Sequence, residues 1–247
     1  MNIILSGACG RMGHEVARAA ASQGIRILCG VDQKEEAYDS FPVFRDFSCV
    51  QPENGSVIID FSLPSFLSEV LAFAKENHIP IVLATTGYTE EQIDCIRAAS
   101  AEIPVFRSAN MSLGVHVLKL LSRMAANLLP EFDIEIIEKH HNQKADAPSG
   151  TAIMLYDAVA GKDHFPVYDR HDQKQKRRKN EIGMLSVRGG TVSGEHEVGF
   201  YGNGESILII HTAQNRSIFA EGALKAAAFL SGQTVCREYC MDDLFSI

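Results

Sequence analysis

A short apolar run, Asn2–Ser6, ends on glycine, and glycine recurs at Gly10 and Gly13 before Val16, Ala17, Ala20 and Ala21 take up helical spacing. Strand, glycine turn and helix in that order call for a crossover to a parallel neighbour, and such crossovers are right-handed. The alternation repeats. Gly24 stops the first helix, and strands are predicted over Ile25–Val31, Ser56–Phe61, Ile81–Ala84 and Pro104–Arg107. Helices are predicted over Pro64–Asn77 and Thr89–Ala101, the second opened by a Thr-Glu-Glu-Gln capping pattern. The expected fold is α/β, with a Rossmann-like doubly wound parallel sheet at the N-terminus.

The pattern changes after about Asn110. A long helix is predicted over Gly114–Leu128, an alternating strand over Asp133–His140 and a helix over Ser149–Ala160. A polar stretch, Asp169–Asn180, carries the run KQKRRK, and two glycine-punctuated β segments follow, Met184–Phe200 and Glu205–Thr212. An alanine-rich helix is expected over Ile218–Leu230. Helices followed by runs of strands predict a second, α+β domain with an open mixed sheet.

The 247 residues carry 23 basic and 31 acidic side chains, so the net charge is 23 − 31 = −8. That balance argues against nucleic acid or a membrane surface as partner. The opening MNIILSGACG has no cationic leader, and no apolar run approaches the ~18 residues of a membrane span. Six cysteines are scattered without a CxxC pair, which predicts reduced thiols, a cytoplasmic location and no metal.

The glycine turn points to a dinucleotide. Glycine permits positive φ and lets backbone approach a pyrophosphate, while the helix start offers free N–H groups. The spacing is GxxGxxG rather than GxGxxG. Arg11 stands at the mouth of the turn, and Asp32 ends the second strand about 20 residues on, where an acid binds ribose hydroxyls. Gln33 follows Asp32, which predicts NADH binding at least as well as NADPH, with Lys34 leaving both open. Thr85-Thr86-Gly87 and Ser108-Ala109-Asn110-Met111 follow later strands, where loops face ribose and nicotinamide.

Polar chemistry concentrates in EIIEKHHNQKADAPSGTA, residues 135–152. His140 and His141 end a strand, Lys144 and Asp146 follow, and Pro148-Ser149-Gly150-Thr151 opens a helix. Histidine is the natural proton donor near neutral pH, and a helix start with two hydroxyls suits a carboxylate. The KQKRRK run, Lys174–Lys179, reads either as a solvated loop or as a funnel for a dianion.

These two motifs, with ATTG, SANMS, VRGGTVSGEHEVGF and FAEGALKAAAFL, make the chain closely resemble the 4-hydroxy-tetrahydrodipicolinate (dihydrodipicolinate) reductase family over nearly its whole length. The resemblance implies reduction of a cyclic dicarboxylate with loss of water, using NADH or NADPH, in the diaminopimelate route to lysine. It implies His140 as proton donor and Lys144 as catalytic lysine, with His141, Gly150 and Thr151 holding the substrate's carboxylates. It implies a cofactor site of Gly7, Ala8, Cys9, Gly10, Arg11, Met12, Asp32, Ala84, Thr85, Thr86, Ser108, Ala109, Asn110 and Met111. Ala84 departs from the glycine that many members carry there. The resemblance also implies a homotetramer, and a nucleotide domain of residues 1–111 completed by 216–247 around a substrate-binding and oligomerisation domain of 112–215. Two other readings stay open at this point: a different two-domain amino-acid or sugar dehydrogenase, and a non-catalytic nucleotide sensor.

Overall fold

The computed structural model describes residues 1–34, 38, 40–171 and 174–245. Residues 172–173, within the polar stretch singled out above, lie outside the described residues. The chain divides into two compact units, Met1–Leu113 with Arg216–Ile247, and Gly114–Asn215.

The first unit begins with β1 (Asn2–Ser6), α1 (Arg11–Ser22), β2 (Arg26–Val31), β3 (Val43–Phe44) and β4 (Ser56–Asp60). After a 3-10 turn at Pro64–Phe66 come α2 (Leu67–Glu76), β5 (Ile81–Leu83), α3 (Glu90–Ser100) and β6 (Val105–Arg107). Helix α1 starts at Arg11, five residues before the apolar periodicity begins at Val16, with Gly10 as its N-cap; its buried face is Gly13, Val16, Ala19 and Ala20. The predicted capping box of α3 is present, with Thr89 accepting from the Gln92 N–H and the Gln92 side chain from the Thr89 N–H.

The chain then forms the second unit: α4 (Leu113–Leu128), β7 (Asp133–His140), α5 (Gly150–Val159), β8 (Phe165–Val167), β9 (Glu181–Arg188), β10 (Gly194–Tyr201) and β11 (Ser206–Ala213). The segment expected as one β run over Met184–Phe200 is two strands, β9 and β10. A turn containing Gly190, at φ 49°, separates them. The five-stranded sheet has the order β11-β10-β7-β9-β8. It is mixed, since β7 pairs antiparallel with β10 but parallel with β9. Leu118 of α4 and Ala152, Leu155 and Val159 of α5 cover one face, packed on Ile134, Ile136, Ile182, Met184, Val198 and Phe200.

The last segment returns to the first unit as α6 (Ser217–Leu230) and β12 (Glu238–Tyr239). The resulting seven-stranded sheet, ordered β12-β6-β5-β4-β1-β2-β3, is parallel throughout. Strand order reverses between β1 and β4, the switch point at which ligands meet such sheets. One face is covered by α1 and α6, whose small residues Ala220, Ala223, Ala226 and Ala227 are all fully buried. Gly222 lets α6 close on the loop after β6, because a Cβ there would lie 1.7 Å from the Met111 carbonyl oxygen. Among the described residues no helix is long and apolar enough to cross a membrane.

Candidate active site

In the first unit the glycine turn occupies the switch point. Gly7 has φ 76°, and a Cβ on it would come within 2.7 Å of the Phe61 carbonyl group at the end of β4, so only glycine fits between the two loops. Helix α1 has no side-chain cap, so its first-turn N–H groups are available to an anion over the turn. Asp32 lies where the sequence pattern expects it and also braces the turn: Oδ2 accepts from the Cys9 N–H (3.0 Å) and Oδ1 from the Lys34 N–H (3.0 Å). A cavity of about 460 Å³ adjoins these groups and is lined by Gly7, Gly10, Asp32, Lys34, Arg45 and Phe61 among others. A strand-end acid, a turn closed to side chains and an uncapped helix start together fit a dinucleotide's ribose and pyrophosphate. Arg45, 13 residues beyond Asp32, has no local sequence signal; only the pairing of β2 with β3 brings its segment alongside.

The other expected cofactor residues divide by what they expose. Ala8 and Cys9 are buried, so they offer backbone alone, whereas Gly10 lines the cavity, Arg11 is exposed and Met12 packs partly against the core. Ala84 is buried. Among the described residues His78 is the one non-glycine residue at positive φ, so Ala84 has no need of the freedom a glycine would bring. Thr85 is buried and donates to Asp60 Oδ2 (2.9 Å), while Thr86 is exposed. Ser108 donates to the Asn110 carbonyl (2.7 Å), and Asn110 Oδ1 accepts from the Ser112 N–H (2.9 Å). Ala109 between them is exposed, and Met111 is a core residue.

In the second unit, the inward face of β7 reads Ile134, Ile136, Glu138, His140, so an apolar core turns polar at the strand's carboxyl end. Register continues the change across the sheet, setting His196 of β10 opposite Glu138, Ser186 of β9 beside Glu138, and Arg188 beside His140. Glu138 is only 1% exposed, and its carboxylate is fully engaged. Oε2 faces His140 Nδ1 (2.5 Å) and accepts from Arg188 Nη1 (2.8 Å); Oε1 accepts from Arg188 Nη2 (2.7 Å) and from the Ser149 N–H (3.2 Å). One carboxylate thus ties the end of β7 to the start of α5.

Ser149 is the N-cap of α5, accepting from the Ala152 N–H (3.2 Å), and its Oγ lies 3.0 Å from His196 Nε2. Gly150 and Thr151 begin the helix, with open space over Gly150. The His196 ring stands edge-on to His140, centroids 5.1 Å apart. Lys144 pairs with Asp146 (2.8 Å) on the loop between β7 and α5. His141 is half-buried, and its carbonyl accepts from the Lys144 N–H (3.2 Å). A side chain at Gly194 would crowd His140 Nε2, its Cβ lying 3.1 Å away, so glycine keeps that edge of the imidazole clear.

Burial lowers the pKa of His140, as do Lys144 and Arg188, against the opposing pull of Glu138. Burial also lowers His196, to about 4, with His140 adding to the effect. Burial alone would raise Glu138, but hydrogen bonds from Arg188, Ser186 and His140 outweigh it and hold the carboxyl at about 2. The assembly therefore combines an ionised, immobile carboxylate, an imidazole able to carry a proton, an ammonium group and a helix start with open space over Gly150. That set can grip a carboxylate and protonate something beside it.

Glu138, Arg188 and His196 extend the residues expected from sequence, which already included Ser149 in the helix start. Glu138 was legible, since an acid two residues before a strand histidine shares its face. Arg188 and His196 lie about 50 residues away and reach the site only through strand pairing. Within the basic run, Lys174, Gln175, Lys176, Arg178 and Lys179 are exposed, whereas Arg177 is half-buried. It pairs with Asp133 (2.6 Å) and Glu135 (3.2 Å) and donates to the backbone of Ile134 and Glu181, clipping the run to β7 and β9.

Residues 1–111 match the family described as "Dihydrodipicolinate reductase, N-terminus", and residues 114–245 its C-terminal counterpart. The chain is 47% identical over 248 aligned positions to 4-hydroxy-tetrahydrodipicolinate reductase of Caldanaerobacter subterraneus, covering 99% of this chain and 98% of the relative. It is 42% identical to the Clostridium novyi protein of the same name, covering 98% and 97%. Among solved structures, a dipicolinate-bound dihydrodipicolinate reductase from Paenisporosarcina sp. TG-14 shares the fold at a TM-score of 0.80 and 22% identity, covering 97% of each chain.

The buried histidines predict an acid-labile second unit. His196 has a folded pKa of about 4, below its ordinary 6.5. Above pH 6.5 it is neutral in both states, whereas below that the unfolded chain takes up a proton that the folded chain refuses. Stability should therefore fall from about pH 6.5 to about pH 4, by roughly 3 kcal/mol from this group. Urea unfolding across that range should show the loss, and His196→Gln should flatten it. An unchanged slope in the variant would refute the assignment.

Proposed function

The chain belongs to the dihydrodipicolinate reductase family, and on that premise we propose how its residues divide the reduction of 4-hydroxy-tetrahydrodipicolinate to tetrahydrodipicolinate. The reaction consumes one NADH or NADPH and one proton and releases one water, so the protein must hold a dinucleotide, grip a dicarboxylate and manage a proton. When bound, the reduced nicotinamide supplies the hydride.

The glycine turn from Gly7 to Met12 receives the pyrophosphate on backbone N–H groups, and Asp32 accepts from the adenosine ribose. The loops Ala84–Thr86 and Ser108–Met111, after β5 and β6, complete the nucleotide site. Lys34 and Arg45 line the cavity beside Asp32, which suits a 2′-phosphate as well as a free ribose and supports use of either cofactor. In the second unit, Gly150 and Thr151 hold substrate carboxylates at the start of α5, with His141 as a further polar contact. His140 delivers the proton, and Lys144 provides the positive charge beside it. The observation that carries this reading is the cluster in which His140 and the start of α5 meet on one carboxylate, with Lys144 on the loop that joins them.

The outer face of the five-stranded sheet leaves Leu185, Val187, Leu208 and Ile210 exposed. An apolar face of that kind favours burial against another copy, and a homotetramer assembled through it is the reading we adopt. The balance of acidic residues and the reduced cysteines support a cytoplasmic biosynthetic enzyme with no nucleic-acid or membrane partner.

Three outcomes follow. Replacing His140 or Lys144 by Ala should lower turnover by about 100-fold or more with nucleotide binding intact. A coupled assay, in which an aldolase condensation supplies the unstable substrate, reads this directly, and unchanged turnover would eliminate the assignment. Asp32→Ala should weaken NADH binding more than NADPH binding by fluorescence titration, and the reverse ranking would overturn the ribose contact. Sedimentation equilibrium should give four times the chain mass, and Leu208→Glu should reduce it; a wild-type monomer would rule the tetramer out.

A further inference from the structure

Glu138 has no part in the chemistry assigned above, yet among the described residues no carboxylate of the second unit is more completely engaged. Its partners are Arg188 Nη1 and Nη2, the Ser149 N–H, the Ser186 side chain and His140 Nδ1. Arginine and amide nitrogens can only donate, and an ionised carboxylate can only accept. The nitrogen facing it therefore brings the hydrogen, and the lone pair of a neutral His140 falls on Nε2. That edge of the ring is the one Gly194 keeps free of a side chain.

We propose that Glu138 is a positioning residue that holds His140 in its Nδ1–H form and makes Nε2 the atom that passes a proton to the substrate. The inference deepens the reductase reading and rests on it. In the cycle, imidazolium gives up its Nε2 proton and becomes neutral Nδ1–H imidazole. Solvent then restores the proton at Nε2, while the bond to Glu138 is kept throughout.

The charges facing His140 are Glu138 and Arg188 in the sheet, Lys144 on the loop, and His196 on β10. Glu138 is the one anion among them, so it is the group that keeps the imidazole basic enough to collect a proton between turnovers. Arg188 supports this indirectly. By taking both oxygens in a bidentate grip it fixes the carboxylate's direction, and the Ser149 N–H removes the remaining swing. A purely structural role in joining β7, β9 and α5 would need Arg188 and Ser149 alone. The contact to His140 is additional to it.

Two measurements test the proposal on the full-length protein. Labelling histidine with ¹⁵N and ¹³C, and assigning His140 by its loss in His140→Asn, reads the tautomer of the neutral ring without any turnover. Nδ1–H is expected, and Nε2–H would overturn the proposal. In the coupled assay, Glu138→Gln should lower kcat about 100-fold or more. The KM for the substrate should stay within about twofold. The basic limb of the kcat profile should move to lower pH, because the variant loses the anion that favours imidazolium. Should Gln prevent folding, Glu138→Asp keeps the charge on a shorter arm. It should retain the wild-type limb at reduced kcat, and a limb displaced to lower pH would count against the proposal, as would an unmoved limb in Glu138→Gln. If His140→Ala leaves turnover intact, the reductase assignment of that residue fails whatever the tautomer proves to be, so the two failures are distinguishable.

Discussion

A carboxylate that is 1% exposed persists in ionised form only where donors replace its water, and the polar end of the second unit is organised around that requirement for Glu138. Arg188 reaches it from β9, the Ser149 amide from the start of α5, and His140 from two residues along its own strand. Each of these bonds fixes something else: the pairing of β9 with β7, the point where the helix begins, and the plane of the imidazole. Removing a single partner would leave charge stranded in a nearly dry place, so the group is held together by the cost of breaking it up. Ser149 carries the arrangement one step further, its amide bound to Glu138 and its hydroxyl shared between the helix cap and His196.

Asp32 in the first unit follows related logic under milder conditions. It accepts from two backbone amides, one in the glycine turn and one just past its own strand, so the ends of β1 and β2 are held in fixed relation before any ligand arrives. The steric half of that preorganisation comes from Gly7, wedged against the end of β4. A single strand-end acid thus ties the glycine turn to the end of β2.

Most of this was legible from sequence wherever periodicity and local chemistry agree. The alternation Ile134, Ile136, Glu138, His140 marks both the strand and the face it presents, and Thr89 with Gln92 marks the start of α3. What escaped was short or non-local. Strands β3, β8 and β12 have two or three residues each, too few for any period to register. The strands β9 and β10 merged in the reading because a glycine-rich turn between two apolar stretches looks like glycine within one. Arg45, Arg188 and His196 join their sites through strand pairing, and Arg177 turned from a surface charge into a clip because its carboxylate partners lie more than 40 residues earlier. Pair distances of that kind are set by topology, and no local window contains them.

The closing helix has a bearing on how the molecule is made. Ala220, Ala223, Leu224, Ala226, Ala227 and Leu230 are almost wholly buried on the sheet formed by the first hundred residues, and Gly222 lies against the loop that follows that sheet. During synthesis β1 to β6 emerge with one apolar face covered by α1 alone, and the part that α6 will cover stays bare while all of the intervening unit is translated. The nascent chain must therefore shield that face for about 100 residues of elongation, some 5–20 seconds at ordinary ribosome speeds. The oldest part of the polypeptide is the last to be finished, and any ribosome that stalls short of α6 releases a sheet with its core uncovered.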